Sequence, residues 1–250
     1  MLNKHVSSSN YIQQQINQIM QNNHDDIYVQ ENGIMKIIDD TSVTGNNRKY
    51  LELYDKIAPL YRISNAIYFA LKFGGEESYR NEFLSELEIK SGDKILETSV
   101  GAGDNFRYLP NDVTLYGLDL SYGMLKQAVK NAKIWKKQAN FFQGNAEVLP
   151  FKDDCFDVVF HVGGINFFNN KQKAIKEMIR VAKSGTKVII VDETEKLIES
   201  TYKKTPITKD YYQTGERIGA PLEFIPNEMQ NIACNEICKG LMYCLTFRKP

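Results

Sequence analysis

From residue 94 onward, short apolar runs alternate with stretches whose apolar positions recur every three to four residues. KILETSV (94–100), TLYGLDL (114–120), NFFQGN (140–145), DVVFHV (157–162) and TKVIIVDE (186–193) read as strands. GMLKQAVKNAKIWKKQ (123–138) and KQKAIKEMIRVAK (171–183) read as helices, and NFRYL (105–109) as the start of another. NEICKG (235–240) and LMYCLTFRK (241–249) close the chain as a strand pair, whereas residues 194–230 are polar, contain several tyrosines and give no clear period. Such alternation predicts an α/β fold: a seven-stranded, mainly parallel sheet with helices on both faces and an antiparallel C-terminal hairpin.

The first half of the chain is built differently. Residues 7–24 are rich in Ser, Asn and Gln, yet Tyr11, Ile12, Ile16, Ile19 and Met20 keep helical spacing. IYVQ and IMKII flank Asn32-Gly33 as two short strands, and DDTSVTGNNRKY (39–50) reads as a linker. LELYDKIAPLYRISNAIYFALK (51–72) has a helical period interrupted at Pro59, and Gly74-Gly75 separates it from a second helix, EESYRNEFLSELEI (76–89). The expected division is a helix-and-hairpin extension over residues 1–50, acting as a lid or a dimer contact, followed by one domain over residues 51–250.

Composition narrows the functional classes. Lys+Arg and Asp+Glu balance at 31 each, so no global field favours nucleic acid or an anionic surface. No run approaches the 18 or so apolar residues of a membrane span. The opening MLNKHVSSSNYIQQQ lacks the apolar core of a signal peptide, so a cytoplasmic location is expected. Cys234, Cys238 and Cys244 are spaced C-x3-C and C-x5-C, unlike a zinc knuckle. Together with Cys155 they are expected to be buried free thiols, with no metal bound.

Three features carry chemistry. The first is Glu97-Thr98-Ser99-Val100-Gly101-Ala102-Gly103-Asp104, which follows an apolar strand directly. Glycines there allow a tight turn and a close approach of backbone to a ligand. The match to G-x-G-x-x-G is poor, since Asn105 and Phe106 follow, and a strand-to-helix turn without a ligand also fits. The second is Asp119, sixteen residues after Gly103 at the end of the next strand. Its carboxylate suits a pair of ribose hydroxyls, while Ser121 is placed to cap the following helix. The third is Gly144-Asn145-Ala146-Glu147-Val148-Leu149-Pro150-Phe151 after the third strand, where the Asn145 amide suits an adenine edge and equally suits a turn.

Together these features resemble the class I S-adenosylmethionine-dependent methyltransferases, and more narrowly the ubiquinone/menaquinone C-methyltransferase family. Tyr54-Asp55…Ala58-Pro59…Tyr61-Arg62…Asn65 is similar to one family signature, and Arg180-Val181-Ala182-Lys183-Ser184-Gly185 to another. The Asn145–Phe151 stretch and the ending Thr246-Phe247-Arg248-Lys249-Pro250 are also similar, and the likeness covers about residues 50–190 but not residues 1–45. It implies a Rossmann-like fold, S-adenosyl-L-methionine as cofactor and a small-molecule methyl acceptor. In position it implies Glu97 at the methionine end, and Ser99, Gly101, Ala102 and Gly103 as the loop against the cofactor. Asp119 and Leu120 would lie at the ribose, Asn145 and Ala146 at adenine, and Val162 near the sulfonium. The chain departs from the family at Ser99, where a glycine is usual, and at Arg62 and Val162, where an aspartate and a serine are usual.

Methyl transfer needs alignment and exclusion of water, and a base only where the acceptor must lose a proton. His161, at the end of the fourth strand, is the candidate base, and a packed strand-end histidine is the alternative. Asp192 and Glu193 are lesser candidates. Tyr202, Tyr211 and Tyr212 read as a lid or as surface aromatics. Residues 9–24 read as a lid or a homodimer contact. Two further readings are a non-catalytic scaffold and a nicotinamide-dependent oxidoreductase. A nucleic-acid substrate is not expected, because no basic-aromatic tract occurs.

Overall fold

The computed structural model describes residues 19–20, 29–38, 42–204 and 218–250. Its centre is one nine-stranded sheet in the order β1-β2-β5-β4-β3-β6-β7-β9-β8. The strands are β1 (Val29–Glu31), β2 (Ile34–Lys36), β3 (Lys94–Thr98), β4 (Thr114–Asp119), β5 (Ala139–Gln143), β6 (Val158–Val162), β7 (Lys187–Glu193), β8 (Gln230–Ile237) and β9 (Met242–Arg248). The seven strands expected from residue 94 onward are all present, and the Asn32-Gly33 hairpin adds two more, β2 pairing parallel to β5. Strands β2 to β7 are parallel, and β9 and β8 run antiparallel at the far edge.

Five helices accompany the sheet among the described residues: α1 (Gly45–Phe73), α2 (Glu76–Leu84), α3 (Tyr122–Trp135), α4 (Lys171–Val181) and α5 (Glu195–Ser200). Strand alternation divides the core in two. One face carries Leu96, Leu118, Val159 and Ile190 and packs on Ile175 and Met178 of α4. The other carries Ile95, Leu115, Phe160 and Val191 and packs on Tyr79 and Phe83 of α2 and on Leu125 and Ala128 of α3. Helices thus cover both faces, as the alternation predicts. The Ser121 hydroxyl caps α3 by accepting from Met124 N at 3.0 Å, and Asn170 caps α4 by accepting from Lys173 N at 2.9 Å.

Several expectations are corrected. The stretch after the glycine loop forms only a short 3-10 helix, Asp104–Tyr108, rather than a full helix. Pro59 lies inside α1 without ending it, and the last residues of the expected linker are the first turns of that helix. Tyr50 and Leu51 are buried within it, so the position expected for a boundary falls inside a helix. All four cysteines are free, but Cys234 is exposed because both faces of β8 are open, whereas Cys238 and Cys244 are buried. Of the expected N-terminal helix, Ile19 and Met20 are buried, with Met20 bridging to Phe151. Tyr11, Ile12 and Ile16 lie outside the described residues.

The chain leaves β3 towards β4 and β5 on one side, then returns to place β6 on the other. Crevices at the carboxyl ends of such strands are where open parallel sheets bind ligands. Val100 turns over this point, and a Cβ on Gly117 of β4 would lie 2.9 Å from both Val100 methyl groups. Gly117→Ala is therefore expected to cost about 1–3 kcal/mol, and combining it with Val100→Ala to recover most of that loss, as read by urea unfolding.

Candidate active site

The turn after β3 is held from β4. Val100 N donates to Leu118 O at 2.9 Å. Gly101 N donates to Asp119 Oδ2 at 2.8 Å, and Ser121 N to Asp119 Oδ1 at 2.9 Å. One carboxylate therefore fixes both the glycine loop and the start of α3. Burial pushes the Asp119 carboxyl up to about 6, the two backbone donors oppose this, and the nearby Asp55 adds to it. Ser99 takes the left-handed conformation with φ 66°, the geometry that a glycine adopts without strain. Gly103, also left-handed, starts the 3-10 helix.

Glu97 sits beneath this turn with 1% of its surface exposed. Its Oε1 accepts from Asn105 Nδ2, and Asn105 Oδ1 accepts in turn from the buried Arg80 guanidinium of α2. Arg80 also donates to Glu76 at 2.7 Å. Glu97 Oε2 is buried and has no hydrogen-bond partner among the described residues. Burial pushes its carboxyl well above the usual carboxylate range, against the pull of Asn105 and Arg80. Arg80 and Asn105 were missed by the sequence reading. Their one signal was an arginine among the apolar positions of an amphipathic helix.

Asn145 lies two residues beyond the end of β5, and its Oδ1 accepts from Glu147 N at 2.9 Å. That is the turn-forming use of the side chain, and it leaves the amide NH2 outside the turn's own bonding. Ala146 is buried beside it. Leu120 is half-buried, and its carbonyl accepts from Gln143 Nε2 at 3.1 Å. Val162 is half-buried on the same sheet face as Glu97. Along the carboxyl edge, Glu97, the glycine loop, Asp119 and Leu120 thus come together over β3 and β4, with Asn145 and Ala146 beyond β5 and Val162 at the end of β6.

Helix α1 lies along this edge. Asn47 Nδ2 donates to Glu147 Oε1 at 2.8 Å, and Asn46 N to Asn169 Oδ1 at 2.8 Å. Two turns further on, Asp55 Oδ1 accepts from Gly123 N at 2.8 Å and from the Ser121 hydroxyl. A Cβ on Gly123 would meet Asp55 Oδ1 at 2.8 Å, so the glycine is what lets the helices approach. Asp55 was quoted in the sequence only as part of a signature, and the structure gives it a latching role.

His161 faces away from this arrangement. It shares the α4 side of the sheet with Thr98, is wholly buried, and its Nδ1 lies 3.0 Å from Thr98 Oγ1. Phe168 packs edge-on against the ring at 5.4 Å. Burial lowers its pKa to about 4, so the imidazole is neutral at physiological pH. These are the surroundings of the packed strand-end histidine. Asp192, on the same face, accepts from three backbone donors: Gly164 N (3.0 Å), Glu193 N (2.9 Å) and Asn166 N (2.8 Å). Glu193 lies on the opposite face and accepts from Tyr202 OH at 3.3 Å. Tyr211 and Tyr212 lie outside the described residues.

The order of strands and the acid-and-glycine turn define a Rossmann-like α/β domain. Residues 96–190 match the model of a family described as a methyltransferase domain. The chain is similar to the demethylmenaquinone methyltransferase of Bacillus mycoides strain KBAB4, 31% identical over 58% of this chain and 62% of that protein. It is equally similar to the ubiquinone/menaquinone biosynthesis C-methyltransferase UbiE of Geotalea daltonii, 31% identical over 60% of this chain and 65% of that protein. The similar region thus spans less than two thirds of the length of either relative. Among solved structures, the Haemonchus contortus phosphoethanolamine N-methyltransferase 2 in complex with S-adenosyl-L-methionine shares the fold, with a TM-score of 0.58 and 16% identity over 84% of this chain and 61% of that one.

Because the His161 pKa falls from 6.5 to about 4 on folding, protonation favours the unfolded chain, and stability drops as pH falls through this window. From about pH 6.5 to about pH 4 the wild-type chain is expected to lose about 3 kcal/mol more than His161→Gln, measured by urea unfolding at each pH.

Proposed function

We propose that this chain is an S-adenosylmethionine-dependent methyltransferase acting on a small-molecule acceptor. The observation that carries this reading is the pairing of Glu97 and Asp119 around one glycine turn at the point where the sheet's connections diverge. The free, buried Glu97 Oε2 suits the ammonium of the cofactor's methionine end. Asp119 keeps lone pairs beyond those used by Gly101 and Ser121, and these suit two ribose hydroxyls. Asn145 and Ala146 stand where an adenine edge would lie, and Ser99, Gly101, Ala102, Gly103, Leu120 and Val162 complete the wall.

The cofactor supplies a methyl group on a positively charged sulfur, already activated for displacement. The chain's tasks are to bind, orient and keep water out. Asp119 sets the loop against which the cofactor rests, and α1, tied down at Asn47 and Asp55, roofs the edge. The relatives' printed names make demethylmenaquinone the first acceptor to assay.

Calorimetric titration with S-adenosylhomocysteine tests the reading. Only ionised Asp119 accepts both ribose hydroxyls, and its carboxyl ionises at about 6. Affinity is therefore expected to rise between about pH 5 and about pH 7 and then level off, and Asp119→Asn to weaken binding at least about tenfold and abolish the rise. Absence of binding by the wild-type chain defeats the proposal.

A further inference from the structure

Sequence places two acids at the end of β7, and the structure separates their tasks. Asp192 points to the α4 side and accepts from three backbone donors, Gly164 N and Asn166 N of the turn over residues 163–166 and Glu193 N. Glu193, one residue on, points to the face that carries Glu97 and Val162. It is 8% exposed, its Oε1 accepts from Tyr202 OH at 3.3 Å, and its Oε2 is buried with no partner among the described residues. Burial, and then the neighbouring Asp192, push its carboxyl well above the usual range. Leaving a buried carboxyl oxygen without a hydrogen bond is costly.

Its surroundings say what would fill the gap. Across the end of β6, Gly163 and Gly164 have left-handed backbones, and a Cβ on either would meet nothing within 4 Å. Asn166 Nδ2 binds the Glu193 carbonyl at 2.9 Å, so this open turn is fixed against Glu193. Tyr202 continues into an apolar cluster in which Tyr50 and Leu53 of α1 meet Phe167 and Ile198, with Tyr54 and Ile57 packed against it. The Tyr50 and Phe167 rings stack at 4.7 Å. An aromatic wall, an open glycine turn and one unsatisfied carboxyl oxygen lie beside Val162, on the opposite side of the β3 turn from Asp119.

We propose that Glu193 is the acceptor-recognition residue, its Oε2 hydrogen-bonding a hydroxyl carried by an aromatic acceptor. A hydroxyl both donates and accepts, so it suits the carboxyl in either protonation state. Tyr202 holds the side chain in place from the other oxygen and is a positioning residue. This assignment rests on the methyltransferase reading, because the acceptor must meet the cofactor at this edge.

The test uses the full chain saturated with S-adenosylhomocysteine, and 2-naphthol with naphthalene as its hydroxyl-free counterpart. The wild-type complex is expected to bind 2-naphthol about tenfold or more tighter than naphthalene. Glu193→Gln should keep most of that preference and Glu193→Leu should erase it, while S-adenosylhomocysteine binds all three chains alike. Infrared difference spectra add a readout that does not depend on the leucine variant folding: 2-naphthol should shift a buried carboxyl band in the wild type and none in Glu193→Gln. Equal affinity for the two probes, a preference that survives Glu193→Leu, or an unshifted carboxyl band overturns the inference. Failure to bind S-adenosylhomocysteine instead overturns the methyltransferase reading on which it rests.

Discussion

Asp119 accepts one backbone N–H from the glycine turn and one from the start of α3, and the carboxyl edge of the sheet is organised around these two hydrogen bonds. Without them Gly101 would have no anchor on β4 and the α3 terminus would be free to move away from the loop. The carboxyl is held where burial opposes its charge, and only the inward-pointing donors offset that opposition. A group so placed is poised to take further donors, because each one relieves desolvation already incurred in folding. Scaffold and binding site here share one side chain.

A second layer rests on this one. Asp55 of α1 takes the Ser121 hydroxyl and Gly123 N, so the long helix is latched to the same α3 terminus that Asp119 fixes. Its first turn is tied separately to Glu147 and Asn169, which follow β5 and β6. The roof over the edge is thereby referenced to three different strand ends. Beneath it, Arg80 and Asn105 keep one Glu97 oxygen engaged and leave the other free.

Much of this was legible in the sequence because it is local. The alternation of periods gave the sheet and its helices, and Gly101, Gly103, Asp119 and the Ser121 cap each stand out against immediate neighbours. What was not legible depends on distant partners. Nothing near Asp192 and Glu193 says which is spent on backbone donors, because strand alternation and the turn after β6 decide it. Arg80 reaches Asn105 across 25 positions, and Asp55 reaches Gly123 across 68. Pro59 suggested a break, but its turn is held in place by contacts of α1 with the domain, which outweigh local propensity. The helix expected after the glycine turn is cut short at Tyr108, because Pro110 holds the residue before it, Leu109, in an extended conformation.

Pro59 has a bearing on α1 itself. A proline has no amide hydrogen, so the carbonyl four residues earlier, that of Asp55, loses its helical donor. The helix is therefore short of one rung at the residue whose side chain clips it to α3. Bending costs least where a rung is already gone, so the segment tied to Glu147 and Asn169 and the segment beyond the clip can tilt as two arms about that turn. The latch and the pivot of the roof therefore coincide at one residue, Asp55.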